Sequence, residues 1–247
     1  MRVYGLIGYP VTHSFSKQYF TQKFTDEGIT DARYELIALP DINGFLAVVR
    51  NTQGLLGLNV TIPHKESVIP FLHILSDEAQ EIGAVNVVKI NQIKKNLFLE
   101  GYNTDHQGFT EALKPHIKQK PERALVLGTG GSAKAVVYAL AKLKIRATLV
   151  SRTPAVNQLS YQAVDAEVIK SHQQIIKCTP LGMHKLISQL PSIPYHTLTQ
   201  KHIIFALIYN PEETEFMKAG KKMGSKTLNG SSMLQIQAER SWEIWNS

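Results

Sequence analysis

The chain has 247 residues, 43% hydrophobic and 19% charged, which is enough for a packed core and too few charges for a disordered chain; one large or two modest domains are expected. Its formal charge of +7 comes from scattered Lys and Arg, with short pairs such as Lys94-Lys95 and Lys221-Lys222 and no basic stripe interleaved with aromatics, so nothing points to a nucleic-acid partner. The single cysteine, Cys178, excludes an internal disulfide and fits a reducing, cytoplasmic setting; no apolar run reaches membrane-spanning length, and the run after Arg2 meets Gly and Pro too soon for a signal peptide.

Along the chain, short apolar runs alternate with helical spacing. Strands are predicted at 3–7, 34–39, 57–62, 85–90 and 97–100, with helices at 16–27, 42–51 and 76–82. A helix is predicted to start at Thr104 or Asp105 and run to Leu113, followed by a polar, proline-bracketed loop at 114–121. The pattern then restarts, with strands at 124–127 and 147–150 flanking a helix at 132–142, and buried strands at 175–178 and 203–207. Such alternation argues for α/β units with mainly parallel sheets. The last stretch, 233–245, is helical in spacing and places Trp242 and Trp245 on one face, which is expected to pack on the body of the protein.

The most specific local signal is ALVLGTGGSAKAVVYALA. A strand ends at Leu127, Gly128, Gly130 and Ala133 fit G-x-G-x-x-A, and a helix follows through Gly131 and Ser132. Gly128 permits the tight turn, Gly130 clears the approach of a pyrophosphate, and Ala133 lets helix and strand pack closely. The N–H groups of the new helix then face the phosphates. An acid ending the second strand would mark NAD. Here that strand is followed by Ser151-Arg152-Thr153, and no acidic residue lies between Glu122 and Asp165. A guanidinium binds a 2′-phosphate that a carboxylate repels, so NADP(H) is the predicted cofactor.

Polar groups gather at the ends of the predicted N-terminal strands: Ser14 and Ser16, the NVTIPHK run at 59–65, GAVN at 83–86 and NTD at 103–105. Ligand sites collect at such ends in open α/β sheets. Each motif alone also has a plain reading. Ser14 would cap the following helix, Thr104 or Asp105 would cap the next one, Lys65 would be an exposed lysine, and Asn86 would close a turn.

Together and in order, these blocks resemble the shikimate dehydrogenase family. The resemblance runs nearly end to end, adding YNTD at 102–105, GTGGSAKAV at 128–136, SRT at 151–153, CTPLGM at 178–183, IYNP at 208–211 and MLQIQ at 233–237. It implies an N-terminal α/β substrate domain, a Rossmann-like doubly wound NADP-binding domain, and a C-terminal helix returning to the first domain. The expected boundaries are 1–104 with about 230–247, and 105–229. It implies NADP-dependent reduction of 3-dehydroshikimate to shikimate, with Lys65 as general acid/base paired with Asp105. Ser14 and Ser16, with Tyr209, would hold the substrate carboxylate. Thr61, Asn86, Asp105 and Gln237 would bond the ring hydroxyls, and Met183 would flank the nicotinamide in the interdomain cleft. Cofactor contacts would come from Gly128, Gly130, Gly131, Ser132, Ala133, Ser151, Arg152 and Thr153.

The chain departs from the family pattern at Lys17, Phe20 and Thr21, at Lys177 in place of a common Asn, at Ala206 in place of a frequent Asp, and at Ser231 and Ser232. The segment between Arg152 and Ile175 is short, leaving little room for the usual helix. A quinate/shikimate dehydrogenase that also uses NAD is the nearest alternative, disfavoured by Arg152. A non-catalytic dinucleotide-binding module is disfavoured by Lys65 and Asp105, and a folate-type dehydrogenase by the serine pair and MLQIQ. The nine histidines form no metal-ligand spacing, so no metal is expected, and His64 and His106 are given supporting or surface roles. Monomer and homodimer are both left open.

Overall fold

The structure is a computed structural model and describes residues 1–12, 14–93, 96–117 and 122–247; the Lys94-Lys95 pair and positions 118–121 of the predicted polar loop lie outside the described residues. The chain forms two compact units, Met1–Thr104 with Gln237–Ser247, and Asp105–Ile236.

The first unit carries β1 (Arg2–Gly8), α1 (Ser16–Asp26), β2 (Ala32–Ala38), α2 (Phe45–Asn51), β3 (Leu55–Val60), β4 (Ile74–Leu75), α3 (Asp77–Ile82), β5 (Val87–Ile93) and β6 (Asn96–Tyr102). Its six-stranded sheet has the order β2-β1-β3-β5-β6-β4. Strand β1 alternates as the pleat requires. Val3 and Ile7 enter one core with Phe45 and Val49 of α2 and Ala79 of α3. Tyr4 and Leu6 enter the opposite core with Phe20 and Phe24 of α1. Ala238 and Trp245 close that second core. The Trp245 ring stacks on Tyr4 at 4.9 Å and its Nε1 donates to the Val88 carbonyl at 3.1 Å. Burying such a ring contributes about 1.5–3 kcal/mol.

Pairing in this unit is mainly parallel, as expected, with β1–β2, β1–β3 and β4–β6 parallel, but one strand is reversed. Strand β5 runs antiparallel to both β3 and β6. Only two residues separate β5 from β6 in sequence, whereas a parallel neighbour needs a crossover of a dozen or more.

The second unit carries α4 (Asp105–Leu113), β7 (Arg123–Leu127), α5 (Gly131–Lys142), β8 (Arg146–Ser151), β9 (Leu159–Ser160), α6 (Ala166–Ser171), β10 (Gln174–Lys177), β11 (Ile203–Ala206), α7 (Glu215–Lys222) and β12 (Lys226–Leu228). The helix α8 (Ser231–Asn246) begins in this unit and ends in the first. All strand pairs of the second sheet are parallel, in the order β12-β11-β10-β7-β8-β9. Ala124, Val126, Ile176 and Phe205 face α4 and α5 on one side. Leu125, Leu127, Ile175 and Ile204 face Ile169 of α6 and Phe216 and Met217 of α7 on the other. This is the doubly wound, Rossmann-like arrangement. The short stretch after Arg152 still fits a helix, the six-residue α6, capped by Asp165 Oδ1, which accepts the Val168 N–H at 2.9 Å. Among the described residues no helix is long and apolar enough to cross a membrane.

Candidate functional site

Strand register gathers the N-terminal motifs at one sheet edge. Strands β1 and β3 are parallel and end together, with Ile7 opposite Val60. Because β5 is antiparallel to β3, its first residue Val87 lies opposite Asn59, and the last residue of β6, Tyr102, lies opposite Val87. The segments leaving this edge hold Ser14 and Ser16 after β1, Thr61 and Lys65 after β3, Asn86 before β5, and Thr104 after β6.

Ser14 and Ser16 form a hydroxyl pair, their Oγ atoms 3.2 Å apart, and Ser14 Oγ accepts the Ser16 N–H at 3.2 Å. Ser14 Oγ thus meets the first N–H of α1, although Phe15 is the N-cap residue and no side chain caps it, and no acidic residue occupies that first turn. A helix N-terminus bearing two hydroxyls suits a carboxylate. Lys17, next along, is exposed and pairs with Glu35 at 3.2 Å. Phe20 is buried and stacks on Tyr34 at 4.5 Å, so this departure serves the core.

The turn after β3 is tied down at several points. The Thr61 N–H donates to the Ile7 carbonyl at 2.9 Å, and the Lys65 carbonyl accepts the Val85 N–H at 2.7 Å. His64 is buried, with Nε2 2.5 Å from the Leu39 carbonyl oxygen. It pins the turn from beneath, while the Lys65 side chain is half-buried.

Asn86 is buried at the centre of a polar cluster. Its Oδ1 accepts the Thr104 N–H at 2.7 Å, and its Nδ2 donates to Thr104 Oγ1 at 3.0 Å and to Gln237 Oε1 at 3.4 Å. Thr104 Oγ1 in turn donates to the Gln237 carbonyl at 3.1 Å. Behind this cluster stands Asn59. Its Oδ1 accepts from Tyr34 at 2.7 Å, and its Nδ2 donates to Ser241 Oγ at 2.9 Å. Ser241 passes the chain on to the Gln237 carbonyl at 2.7 Å. Thr104 enters the sequence reading only as a helix cap, and Tyr34 and Ser241 carry no role in it. The first lay inside a recognised motif; the other two gave no local signal.

In the second unit, Asp105 is buried at the first position of α4. Tyr209 is half-buried in the segment after β11. His106, the other histidine beside the motif, meets the Tyr138 ring edge-on at 5.1 Å.

The glycine loop follows β7. Gly128 has φ +120°, in the region that disfavours a side chain, and a Cβ there would press on Cys178 and Thr179. A Cβ at Gly130 would meet no atom within 4 Å, so the loop presents open backbone. Helix α5 starts at Gly131 with no side-chain cap, and Ala133 is buried against the sheet. An uncapped helix start behind bare glycine backbone fits a pyrophosphate. Ser132 lies in the first turn of α5.

At the end of β8, Ser151 is buried and its Oγ both accepts the Thr153 N–H and donates to the Thr153 carbonyl, each at 3.2 Å. It shapes the turn, while Arg152 and Thr153 are the exposed groups. Met183 is half-buried on the loop after β10, whose Gly182 has φ +95°. Among the described residues no three His, Cys, Asp or Glu side chains cluster to hold a metal.

A family model described as the shikimate dehydrogenase substrate binding domain matches residues 6–88. A shikimate dehydrogenase (NADP(+)) of Desulforamulus reducens is 33% identical over 272 residues, covering 99% of this chain and 89% of that protein. Among solved structures, shikimate dehydrogenase from Aquifex aeolicus is similar with TM-score 0.87 and 34% identity, covering 100% of this chain and 92% of that one. Shikimate 5-dehydrogenase from Thermus thermophilus, solved in complex with NADP(H) and shikimate, gives TM-score 0.85 and 30% identity, covering 99% of this chain and 93% of that one.

Proposed function

The chain belongs to the shikimate dehydrogenase family, and from that premise we propose that it catalyses the reversible, NADP-dependent reduction of 3-dehydroshikimate to shikimate. The observation that carries this reading is the shared sheet edge. One set of loops brings a hydroxyl pair, a lysine and a carboxamide cluster to the same side of the first sheet.

The division of labour follows polarity. Ser14 and Ser16 at the α1 N-terminus suit the substrate carboxylate, with Tyr209 as a further donor. Asn86, Gln237, Thr61 and Asp105 suit ring hydroxyls. When bound, NADPH would supply the hydride for the ketone carbon. Lys65 donates the proton to the ketone oxygen, and in the reverse direction takes it from the hydroxyl. We assign Asp105 to orient the Lys65 ammonium. The web around Asn86 keeps its carboxamide from rotating, so recognition needs little reorganisation on binding.

On the cofactor side, Gly128, Gly130, Gly131, Ser132 and Ala133 form the pyrophosphate turn. Arg152 and Thr153 are assigned to the 2′-phosphate on a turn held by Ser151, and Met183 to the nicotinamide. The single cysteine suits a cytoplasmic setting.

The test is shikimate oxidation by the purified protein, followed by NADPH absorbance, with quinate and NAD in parallel arms. Turnover of shikimate with NADP above the other three combinations is expected. Binding of NADP with no shikimate-dependent absorbance change would overturn the enzymatic reading.

A further inference from the structure

Lys177 ends β10, and its side chain is fully buried. Its in-register neighbours are Leu127 on β7 and Ala206 on β11, neither of which titrates. The two departures Lys177 and Ala206 are thus cross-strand partners, and no carboxylate stands beside the lysine on the sheet. Its Nζ instead donates to the carbonyl oxygens of Thr179 at 3.0 Å and Leu181 at 2.6 Å, both in the turn leading to Met183. Burial pulls its pKa down to about 8, while the adjacent Cys178, the titratable group acting on it, works the other way. The ammonium is therefore charged at neutral pH. Two carbonyl dipoles accept from two of its three N–H donors without neutralising it.

Topology says what that charge faces. From β7 the chain moves through β8 and β9 to one side, and β10, β11 and β12 fill the other. The switch point lies between β7 and β10, and in open parallel sheets a ligand crosses the C-terminal edge there. The α5 N-terminus takes the pyrophosphate, and Arg152 after β8 marks the side of the phosphorylated ribose. The other half of an extended dinucleotide is then directed over β10. That half carries the nicotinamide, which is cationic when oxidised and neutral when reduced.

We propose that Lys177 selects the redox state of the bound cofactor: its buried ammonium weakens binding of NADP⁺ relative to NADPH. This rests on the dinucleotide reading above. The overall reaction equilibrium is untouched; what shifts is which form the free protein holds. At an effective dielectric of about 20, a unit charge acting over about 10–12 Å corresponds to a preference on the order of tenfold.

The test measures dissociation constants for NADP⁺ and NADPH on the wild type, Lys177→Met and Lys177→Arg, at about pH 7 and about pH 9.5. The ratio of the NADP⁺ constant to the NADPH constant is the readout, because a group such as Arg152, assigned to the shared 2′-phosphate, acts alike on both forms and cancels. Lys177→Met is expected to lower the ratio on the order of tenfold, and Lys177→Arg to keep it. The wild-type ratio should fall toward the Met value at the higher pH, and Cys178→Ser should still show that fall. Equal weakening of both forms in Lys177→Met means the lysine only packs its turn, and overturns the proposal. Should Lys177→Met fail to fold, the wild-type pH series decides, a flat ratio overturning the proposal. Failure of the wild type to bind either form overturns the dinucleotide reading itself, and this inference with it.

Discussion

Asn86 and Thr104 bind each other twice, the Thr104 N–H donating to Asn86 Oδ1 at 2.7 Å and Asn86 Nδ2 donating back to Thr104 Oγ1 at 3.0 Å. Both residues are buried. Asn86→Ala strands a buried N–H and should cost about 1–3 kcal/mol of stability. Thr104→Val keeps the backbone bond and should cost less. Denaturant unfolding gives both values, and shikimate KM should rise in Asn86→Ala. Equal losses in the two variants would show that the backbone bond is not the one that matters.

Lys65→Ala should lower kcat by about 10²–10⁴-fold, the usual range for a lost general acid/base, with a much smaller change in shikimate binding. Separate measurement of kcat and of the shikimate dissociation constant checks this. Near-normal turnover would remove Lys65 from the proton-transfer role.

Arg152→Ala should raise the NADP KM by about 10–100-fold, the equivalent of a lost charge-assisted hydrogen bond, and leave the NAD KM nearly unchanged. Ser151→Ala should act differently. Its hydroxyl is bonded to the Thr153 backbone, so its loss frees the turn and should weaken both cofactors. Kinetics with the two dinucleotides separates these effects.

Glu239 joins α8 to α1 through Lys23 at 2.7 Å and through the Tyr19 hydroxyl. Burial works against its carboxylate, but the hydrogen bonds from Lys23 and Tyr19 prevail and hold its pKa below the ordinary 4.5. A carboxyl depressed on folding stabilises above its unfolded pKa, and that contribution is lost as pH falls from about 4.5 through the folded value. Glu239 is 44% exposed, so solvent screening keeps the effect to about 1 kcal/mol or less. Glu239→Gln should lower stability in the neutral region by about 1 kcal/mol or less, leave the most acid region little changed, and so flatten the acid limb of a stability–pH curve.

The larger elements were legible because their periods were long enough to read. Strand β1 and helices α1 and α5 differ by a residue or so at each end from their predicted spans. Strands β4, β9 and β12, of two or three residues, are too short to carry a pattern. Helix α7 was readable in principle. Thr214 caps it, Phe216, Met217 and Gly220 bury one face, and Lys221 and Lys222 close it, a start and stop signature around an amphipathic turn. The motifs at the first sheet's edge were legible as polar residues at strand ends. Their supports were not, because Asn59 meets Tyr34 across 25 positions and Ser241 across 182. Lys177 stood out in sequence as an anomaly. Only the sheet register showed that Ala206 is its neighbour.

The closing of the first unit's second core by Ala238 and Trp245 bears on the order in which the protein is made. The ribosome delivers residues 1–104, then all of 105–236, before the segment that covers Tyr4, Phe20 and Phe24. At ordinary elongation rates that interval is roughly 7–26 s. The sheet bearing Ser14, Lys65 and Asn86 must wait through it with one apolar face covered by α1 alone. The second unit has its whole sequence in hand first. The nascent chain thus completes its nucleotide-type sheet ahead of the substrate-side sheet that precedes it, and that early sheet is the one a holding chaperone would meet.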